Sequence, residues 1–484
     1  MINSSSAFQE AVSRDSRTFK AVFFYNGSEV TGEIRKLAVY KGSCGASDFI
    51  PGTVFCPHIE VIMDHCAEIL EGKELELKAG VMINDDLSEP EYDYIRMGYF
   101  TVGKPLTSAY RTSFMAQGRI GSRLTAYMEN IPAVLTIGNI ADQIEADTGV
   151  AINVDDGIDV SAPVSSAFIV KALSPGLTFR DALAAITAAA GGYATETADG
   201  EIRICRFRTG VTAEYSADYM TEPPAFHDID TVITGVKVVV VEGSGEDSGL
   251  SYTSGDPVNL ELNCEYMSAA AFSTYATNLI GLTWRGGSVS LALGDPRIEP
   301  WDVLRITDSL GTVFVIPCMS LVHTYDGGFQ TLIEAPSLPE AGQVEGTVTR
   351  VLRIVADAQA KAGEASEAVS DMQERMDSGE FKGEDASVLR IDSSRGTLFK
   401  NNAVSTVLTV AVYTGGERIT NITDLRARYG AAAHLQWYWQ KLDDSDFGII
   451  VSSDHKLSED GFSLTLTPDE VDTKVTFRCE LVTG

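Results

Sequence analysis

The sequence predicts a mainly-β chain with an inserted α+β module, built as two barrel-like β domains, a coiled-coil helix and a C-terminal immunoglobulin-like β-sandwich. Three observations predict it. Apolar and polar residues alternate, with turn residues between the runs, over the first 120 positions and again from about 226. Between these blocks the period changes to that of a helix. After the second block, one long run repeats its apolar residues every three and four positions. The boundaries that follow are 1–121 for the first barrel domain, 122–225 for the module and 226–337 for the second barrel domain with one helix. Residues 340–378 form the coiled-coil helix, and 379–484 form a linker and the sandwich.

In the first block, TFKAVFFYNGSEVTGEI reads as two β runs around Asn26-Gly27, a pair suited to a two-residue hairpin turn. HIEVIMD, ELELKAGVMI, IRMGYFTVGK and TSFMAQGRI continue the alternation as an antiparallel sheet that closes on itself or forms a sandwich. In the module, IGNIADQIEADTG places Ile137, Ile140 and Ile144 on one helical face and stops at Gly149. LTFRDALAAITAAAGG starts from Thr178 as N-cap and ends at its glycine pair. AINV, AFIV, YATET and EIRICRF read as strands between these helices. Alternation returns with TGVKVVVVEG, is interrupted by the helix SAAAFSTYATNLIG, and resumes from GSVSLALGD to FQTLIEA. The last part echoes the first block: VLRITD, VFVIPC and FQTLIEA follow the pattern of LELKAG, YFTVGK and SFMAQGRI, so a repeated barrel is expected.

Pro336 and Pro339 end the second block. Val348, Val351, Val355, Ala358, Ala362, Ala365, Val369, Met372 and Met376 then follow one another at alternating steps of three and four, a heptad seam for self-association. Valine at both seam positions does not specify a dimer and is compatible with three strands. A single amphipathic helix docked on its own chain competes with this reading, because the middle of the seam is alanine. The charged and small residues around the rest of the circumference favour a helix surrounded by water. Beyond the polar linker SGEFKGEDAS, Trp437 in LQWYWQKL and Cys479 in VTFRCEL are spaced like the buried Trp and the later-strand Cys of an immunoglobulin-like sandwich. The segment TVLTVAVY lacks the partner cysteine, so that sandwich stands on packing alone.

Composition narrows the function. The chain has 37 Lys and Arg against 68 Asp and Glu, a net charge of −31. Such a chain does not bind nucleic acid by neutralising phosphates. Solubility is the plain reading of the charge, and a wall past which a polyanion slides without sticking is the sharper one. The seven cysteines are odd in number and scattered, which argues against a disulfide framework and for folding in a reducing cytoplasm. The N-terminus has no basic start followed by an apolar core, and no apolar run approaches the ~20 residues of a membrane span, so neither a secretory signal nor stable membrane insertion is expected.

HExxH, GxSxG and GxxxxGK[ST] are all absent, and no enzymatic activity, cofactor or metal is expected. Cys56, His58, His65 and Cys66 in CPHIEVIMDHC are of metal-ligand type, but a strand separates the two pairs and the spacing is not that of a zinc site. A thiol-hydrolase pairing of Cys66 with a distant histidine has no local signature. Asp155, Asp156 and Asp159 in VDDGIDV lack a calcium loop's length and final glutamate, and read as an Asp-Gly turn. Asp295, with Glu299 or Asp302, could be a carboxylate pair, though Asp-Pro setting a bend explains it. Trp437, Tyr438 and Trp439 are the candidates for stacking on a sugar. Alternation puts the two tryptophans on one face, which is more often core.

Taken in order, SRTFKAVFFYNGSEVTGEIRKLAVYKGS, FIPGTVFCPHIEVIM, YIRMGYFTVGKP, ITGVKVVVV and GDPRIEPWDVLRI resemble the hub proteins of phage tails. That group includes baseplate hubs and the N-terminal part of tail-associated lysins, and the resemblance covers roughly the first 335 residues. GEDASVLRIDSSRGTLFKNNAVSTVLTVAVYTGGERIT looks like the linker and immunoglobulin-like appendage of tail proteins. The resemblance implies a homotrimer whose two barrels per chain form a pseudo-sixfold ring. That ring would join the tail tube and the distal tail protein to the tip, with DNA or the tape-measure protein in transit. It implies a virion tail-tip location after assembly in the host cytoplasm, with the last domain facing the host surface and its glycans. Tail-associated lysins carry a hydrolase after the hub. Here the chain passes directly to a helix and a sandwich, so the enzymatic role is not carried over. A cell-wall hydrolase with an unrecognised site and a glycan-binding adhesion protein remain the alternatives.

Overall fold

The computed structural model describes residues 1–14, 16–44, 49–84, 89–173, 176–220, 222–241, 247–338, 387–393, 406–414, 417–441, 447–467 and 475–483. They group into two compact units, one reaching through the second β block and one holding the C-terminal strands, with Glu10–Phe19 counted with the latter. The seam from Val348 to Met376 lies outside the described residues.

The first block opens with helix α1 (Ser6–Ser13) and continues as β1 (Phe19–Tyr25), β2 (Ser28–Glu29), β3 (Ile34–Gly42), β4 (His58–Asp64), β5 (Glu74–Met82), β6 (Tyr92–Val102), β7 (Leu106–Thr107) and β8 (Arg111–Gln117). The hairpin expected at Asn26-Gly27 is present. Both residues take left-handed backbone angles, φ 49° and 81°, and Tyr25 faces Ser28 across the turn. Strand β4 shows the period of two directly, with Ile59, Val61 and Met63 buried and the residues between them half-buried.

In the module, α2 (Arg119–Arg123) is followed by α3 (Ile137–Thr148), β9 (Ile152–Val154), α4 (Ala167–Leu173), α5 (Phe179–Ala190), β10 (Tyr193–Glu196) and β11 (Ile202–Cys205). Helix α3 carries Ile137, Ile140 and Ile144 on its buried face, starts from Thr136 and stops at Gly149, whose φ is 68°. Helix α5 starts from a capping box: the Asp181 N–H donates to the Thr178 hydroxyl at 3.2 Å, and the Thr178 N–H donates to the Asp181 carboxylate at 3.1 Å. It ends at Gly191. The run AFIV, expected as a strand, is instead the first turn of α4. Four apolar residues suit a buried helix as well as a strand, and the Ser165 hydroxyl accepting the Ala167 N–H favours the helix start.

After β12 (Val211–Tyr215), the second block contains β13 (Ala225–Val232), β14 (Gly235–Val241), β15 (Asp247–Gly255), β16 (Leu260–Asn263), α6 (Ala269–Leu279), β17 (Thr283–Leu291), β18 (Val303–Thr307), β19 (Val313–Pro317), β20 (Ser320–Tyr325) and β21 (Phe329–Ala335). The echo of the first block is only partial. Strands β18 and β19 leave the main sheet and join β12, whereas β5 and β6 stay in it.

One twelve-stranded sheet runs through both blocks in the order β13-β17-β21-β20-β3-β4-β8-β6-β5-β1-β2, with β7 on β8. The path is open, and no pairing among the described residues joins its ends. Strands β13, β17, β20 and β21 of the second block therefore share one sheet with the first block, joined where β3 pairs antiparallel with β20 from Gly42–Ser320 to Leu37–Tyr325.

The C-terminal unit has two sheets. One joins β22 (Ser387–Ser393), β23 (Thr406–Thr414) and β24 (Glu417–Ile419), with β27 (Ser463–Leu466) on β23; the other is β26 (Gly448–Ile450), β25 (His434–Lys441) and β28 (Val475–Val482). Val410, Val412, Leu464 and Leu466 from the first sheet and Leu435, Trp437 and Ile450 from the second fill one core. Trp437 faces Cys479 across β25 and β28.

Candidate functional site

The join between the two blocks gathers polar groups where alternation calls for apolar ones. On β3, Leu37, Val39 and Lys41 share the buried face; on β20, Leu321, His323 and Tyr325 do. His323 is fully buried and satisfied. Its Nδ1 lies 3.0 Å from the Thr331 hydroxyl and its Nε2 lies 3.2 Å from the Ile298 carbonyl, so Nε2 carries the proton and Nδ1 accepts. Burial, with Lys41 nearby, pushes this imidazole down to about 4. Lys41 is only 2% exposed, and its Nζ has no hydrogen-bond partner among the described residues. Burial lowers its pKa against the pull of Glu299, Glu196 and Asp302.

A second polar knot ties the first block to the module through α2. The Arg119 guanidinium forks onto both carboxylate oxygens of Glu74 at 3.0 Å and donates to the Gly200 carbonyl at 2.7 Å. Arg123 adds a contact to Glu74 at 2.9 Å. From the module, Glu196 reaches back, and its carboxylate accepts the Ile120 N–H at the start of α2. A β-carbon on Gly118 would fall 2.5 Å from Oε2 of Glu196, so the glycine leaves the space the carboxylate occupies. Burial raises Glu196 to about 7, against the N–H groups of Ile120 and Arg119 that favour its ionised form.

The residues singled out in the sequence are dispersed. His58 stacks on Tyr40 with ring centroids 4.5 Å apart at one end of β4. Beyond the other end, His65 Nδ1 lies 2.8 Å from the Ser108 carbonyl, and the N–H of buried Cys66 donates to the Thr112 hydroxyl. Among the described residues no three His, Cys, Asp or Glu side chains converge as metal ligands. Asp155 is buried and pairs with Arg203 at 2.7 Å and Arg208 at 3.4 Å, while Asp159 accepts from Ser161. Asp156 sits in the turn that the Ile158 N–H closes onto the Asp155 carbonyl. Asp295 is held by Arg297 at 2.6 Å and by the Tyr215 hydroxyl at 3.0 Å. Asp302 instead accepts the Glu299 N–H at 2.8 Å and the amino group of Met1 at 2.7 Å. The carboxylates of Asp155, Asp159, Asp295 and Asp302 are thus each engaged with a turn, a neighbouring side chain or the chain's amino group. A Ser–His contact does occur, with Ser337 Oγ 2.7 Å from His227 Nδ1 on the surface. Among the described residues no carboxylate hydrogen-bonds the other nitrogen of His227, so the orienting third member of a triad is not there.

In the C-terminal unit Trp437 is fully buried, and its indole N–H donates to the Gly461 carbonyl at 2.9 Å. Trp439 packs partly buried against the same core. Tyr438 points the other way, with the Arg478 guanidinium 6.0 Å from its ring centre and Ile449 opposite on β26. No helix among the described residues is long and apolar enough to cross a membrane.

No family model matches the chain, and no curated protein does. Solved tail proteins are similar to it. A tail protein from Neisseria meningitidis MC58 aligns with a TM-score of 0.44 at 13% identity, over 65% of this chain and 95% of that one. The 43 kDa tail protein of prophage MuSo2 from Shewanella oneidensis gives 0.39 at 14% identity, over 66% and 99%. Prophage tail protein gp18 from Listeria monocytogenes EGD-e gives 0.38 at 11% identity, over 70% and 99%.

Lys41, Glu196, His323 and Arg119 were not singled out in the sequence. The signal for two of them was present: in LAVYK and LVHTY, Lys41 and His323 fall on the alternation that carries Leu37, Val39, Leu321 and Tyr325 inward.

Proposed function

We propose that the chain is a structural component of a phage or prophage tail, the tail-tip or baseplate hub. Three copies form a ring that joins the tail tube and the distal tail protein to the tip and lets DNA or the tape-measure protein pass. The seam from Val348 to Met376 associates the copies beyond the ring, and the immunoglobulin-like C-terminal unit faces the host surface, where any glycan contact falls to Tyr438 rather than to enclosed Trp437. The order of parts along the sequence, with its resemblance to tail hubs, supports this reading. The observation that carries it is the pairing of β3 with β20: a ring wall must be continuous, and this pairing makes one wall segment of two β blocks. The charge of −31 suits a bore that a polyanion crosses without sticking. Light scattering of the full chain at micromolar concentration is expected to give the mass of a trimer, three times 52.0 kDa. A stable monomer under those conditions overturns the ring.

A further inference from the structure

At the joint between the first β block and the module, where Thr53 and Phe55 also bond to the backbone of Ala194, one buried carboxylate has unusual surroundings. Glu196 is 5% exposed and caps α2 through the Ile120 N–H. It sits in the space left by Gly118, whose own N–H donates to the Pro57 carbonyl at 2.7 Å. Charged and titratable groups reach it from each element packed around it. Arg119 comes from α2, but that guanidinium is committed to Glu74 and Gly200. Lys41 comes from β3, itself facing Glu299, Asp302 and His323. Cys56, before β4, feels both Glu196 and Arg180 of α5, and its thiol stays protonated, pushed up to about 11 by burial. Among the described residues none of these cations makes an ion pair with Glu196, and Lys41 Nζ has no hydrogen-bond partner. A charge enclosed in this way is held without the direct partner that would compensate its lost hydration.

We propose that Glu196 is a proton-operated latch: protonated, it fastens strand β10 to α2 and the end of the first β block, and ionised, it lets that joint open more readily. The sign follows from linkage. The closed joint holds the proton up to about pH 7, whereas an opened, hydrated Glu196 releases it near 4.5. Between those values the closed form binds the extra proton, so closure is favoured on the acid side and weakens about tenfold per pH unit as pH rises. Above about 7 both forms are ionised and the dependence ends.

The test is amide hydrogen exchange on the full chain from pH 5 to 9, corrected for intrinsic exchange, at 119–123 and 193–205. Wild type is expected to lose protection there by about tenfold per unit up to about pH 7 and then to level off. Glu196→Gln keeps an acceptor for the Ile120 N–H without the charge, and is expected to hold the acid-side protection at pH 8. A wild-type profile at 119–123 with no break between pH 5 and 8 overturns the latch even if the variant does not fold. A Glu196→Gln profile that follows wild type overturns it as well. Neither outcome depends on whether the chain forms a ring.

Discussion

The two cores of this chain are built on different terms. In the N-terminal unit, Lys41, Glu196 and His323 are buried where the β blocks and the module meet; among the described residues from 387 onward, Thr406 is the one buried polar residue, and Trp437, Phe462 and apolar neighbours make the core. Apolar packing is strong and indifferent to pH. Buried titratable groups add little net stability, but they tie the correct assembly to particular partners and to protonation. The difference teaches where each unit is vulnerable: the C-terminal one to lost volume, the N-terminal one to changed charge.

Trp437→Ala gives the largest break. It empties the centre of the C-terminal core and leaves the Gly461 carbonyl without its donor, for a loss of about 3–5 kcal/mol. Thermal unfolding should show the C-terminal transition moving down or vanishing while the N-terminal one stays in place.

Next comes acid. Between pH 6.5 and about 4 the unfolded chain protonates His323 and the folded chain does not, so stability falls as pH falls, by roughly 3 kcal/mol over the window. Glu196 has the opposite slope from 4.5 to about 7, so the two offset one another where their windows overlap. Denaturant unfolding of the N-terminal unit should therefore be nearly flat from pH 5 to 6 in wild type. In Glu196→Gln it should fall by about 1 kcal/mol per unit on acidification, and in His323→Gln it should rise. Parallel profiles in all three proteins would show that the polar core behaves like the dry one.

The smallest effect sharpens the local side of the comparison. Thr178→Ala removes the α5 cap and should lower N-terminal stability by about 1 kcal/mol with no pH dependence between 6 and 8, measured by the same unfolding.

Local features were legible in the sequence. The spacing of Ile137, Ile140 and Ile144, the caps at Thr178 and Gly149, and the Asn26-Gly27 turn all act within a few residues, and the structure has each of them. AFIV misled because four apolar residues carry no period. The helix Ile422–Tyr429 has only a short signal in the sequence, the cap in NITD, where Asn421 accepts the Asp424 N–H at 2.9 Å. What the sequence did not disclose was long-range: nothing near Leu37 announces Tyr325, and nothing near Gly118 announces Glu196. The polar site inherits that silence, since its members come from β3, β10, α2 and β20 and become neighbours only after the sheet and the module have been placed.

The pairing of Gly42 with Ser320 also sets a clock for synthesis. Once β3 emerges from the ribosome it can pair with β4 on one side, but the strand that covers its other side has not been made. At ~5–20 residues per second the wait lasts roughly 15–55 s. For that time the nascent chain presents an open sheet edge next to Leu37 and Val39, the kind of surface that neighbouring chains on one polysome would join.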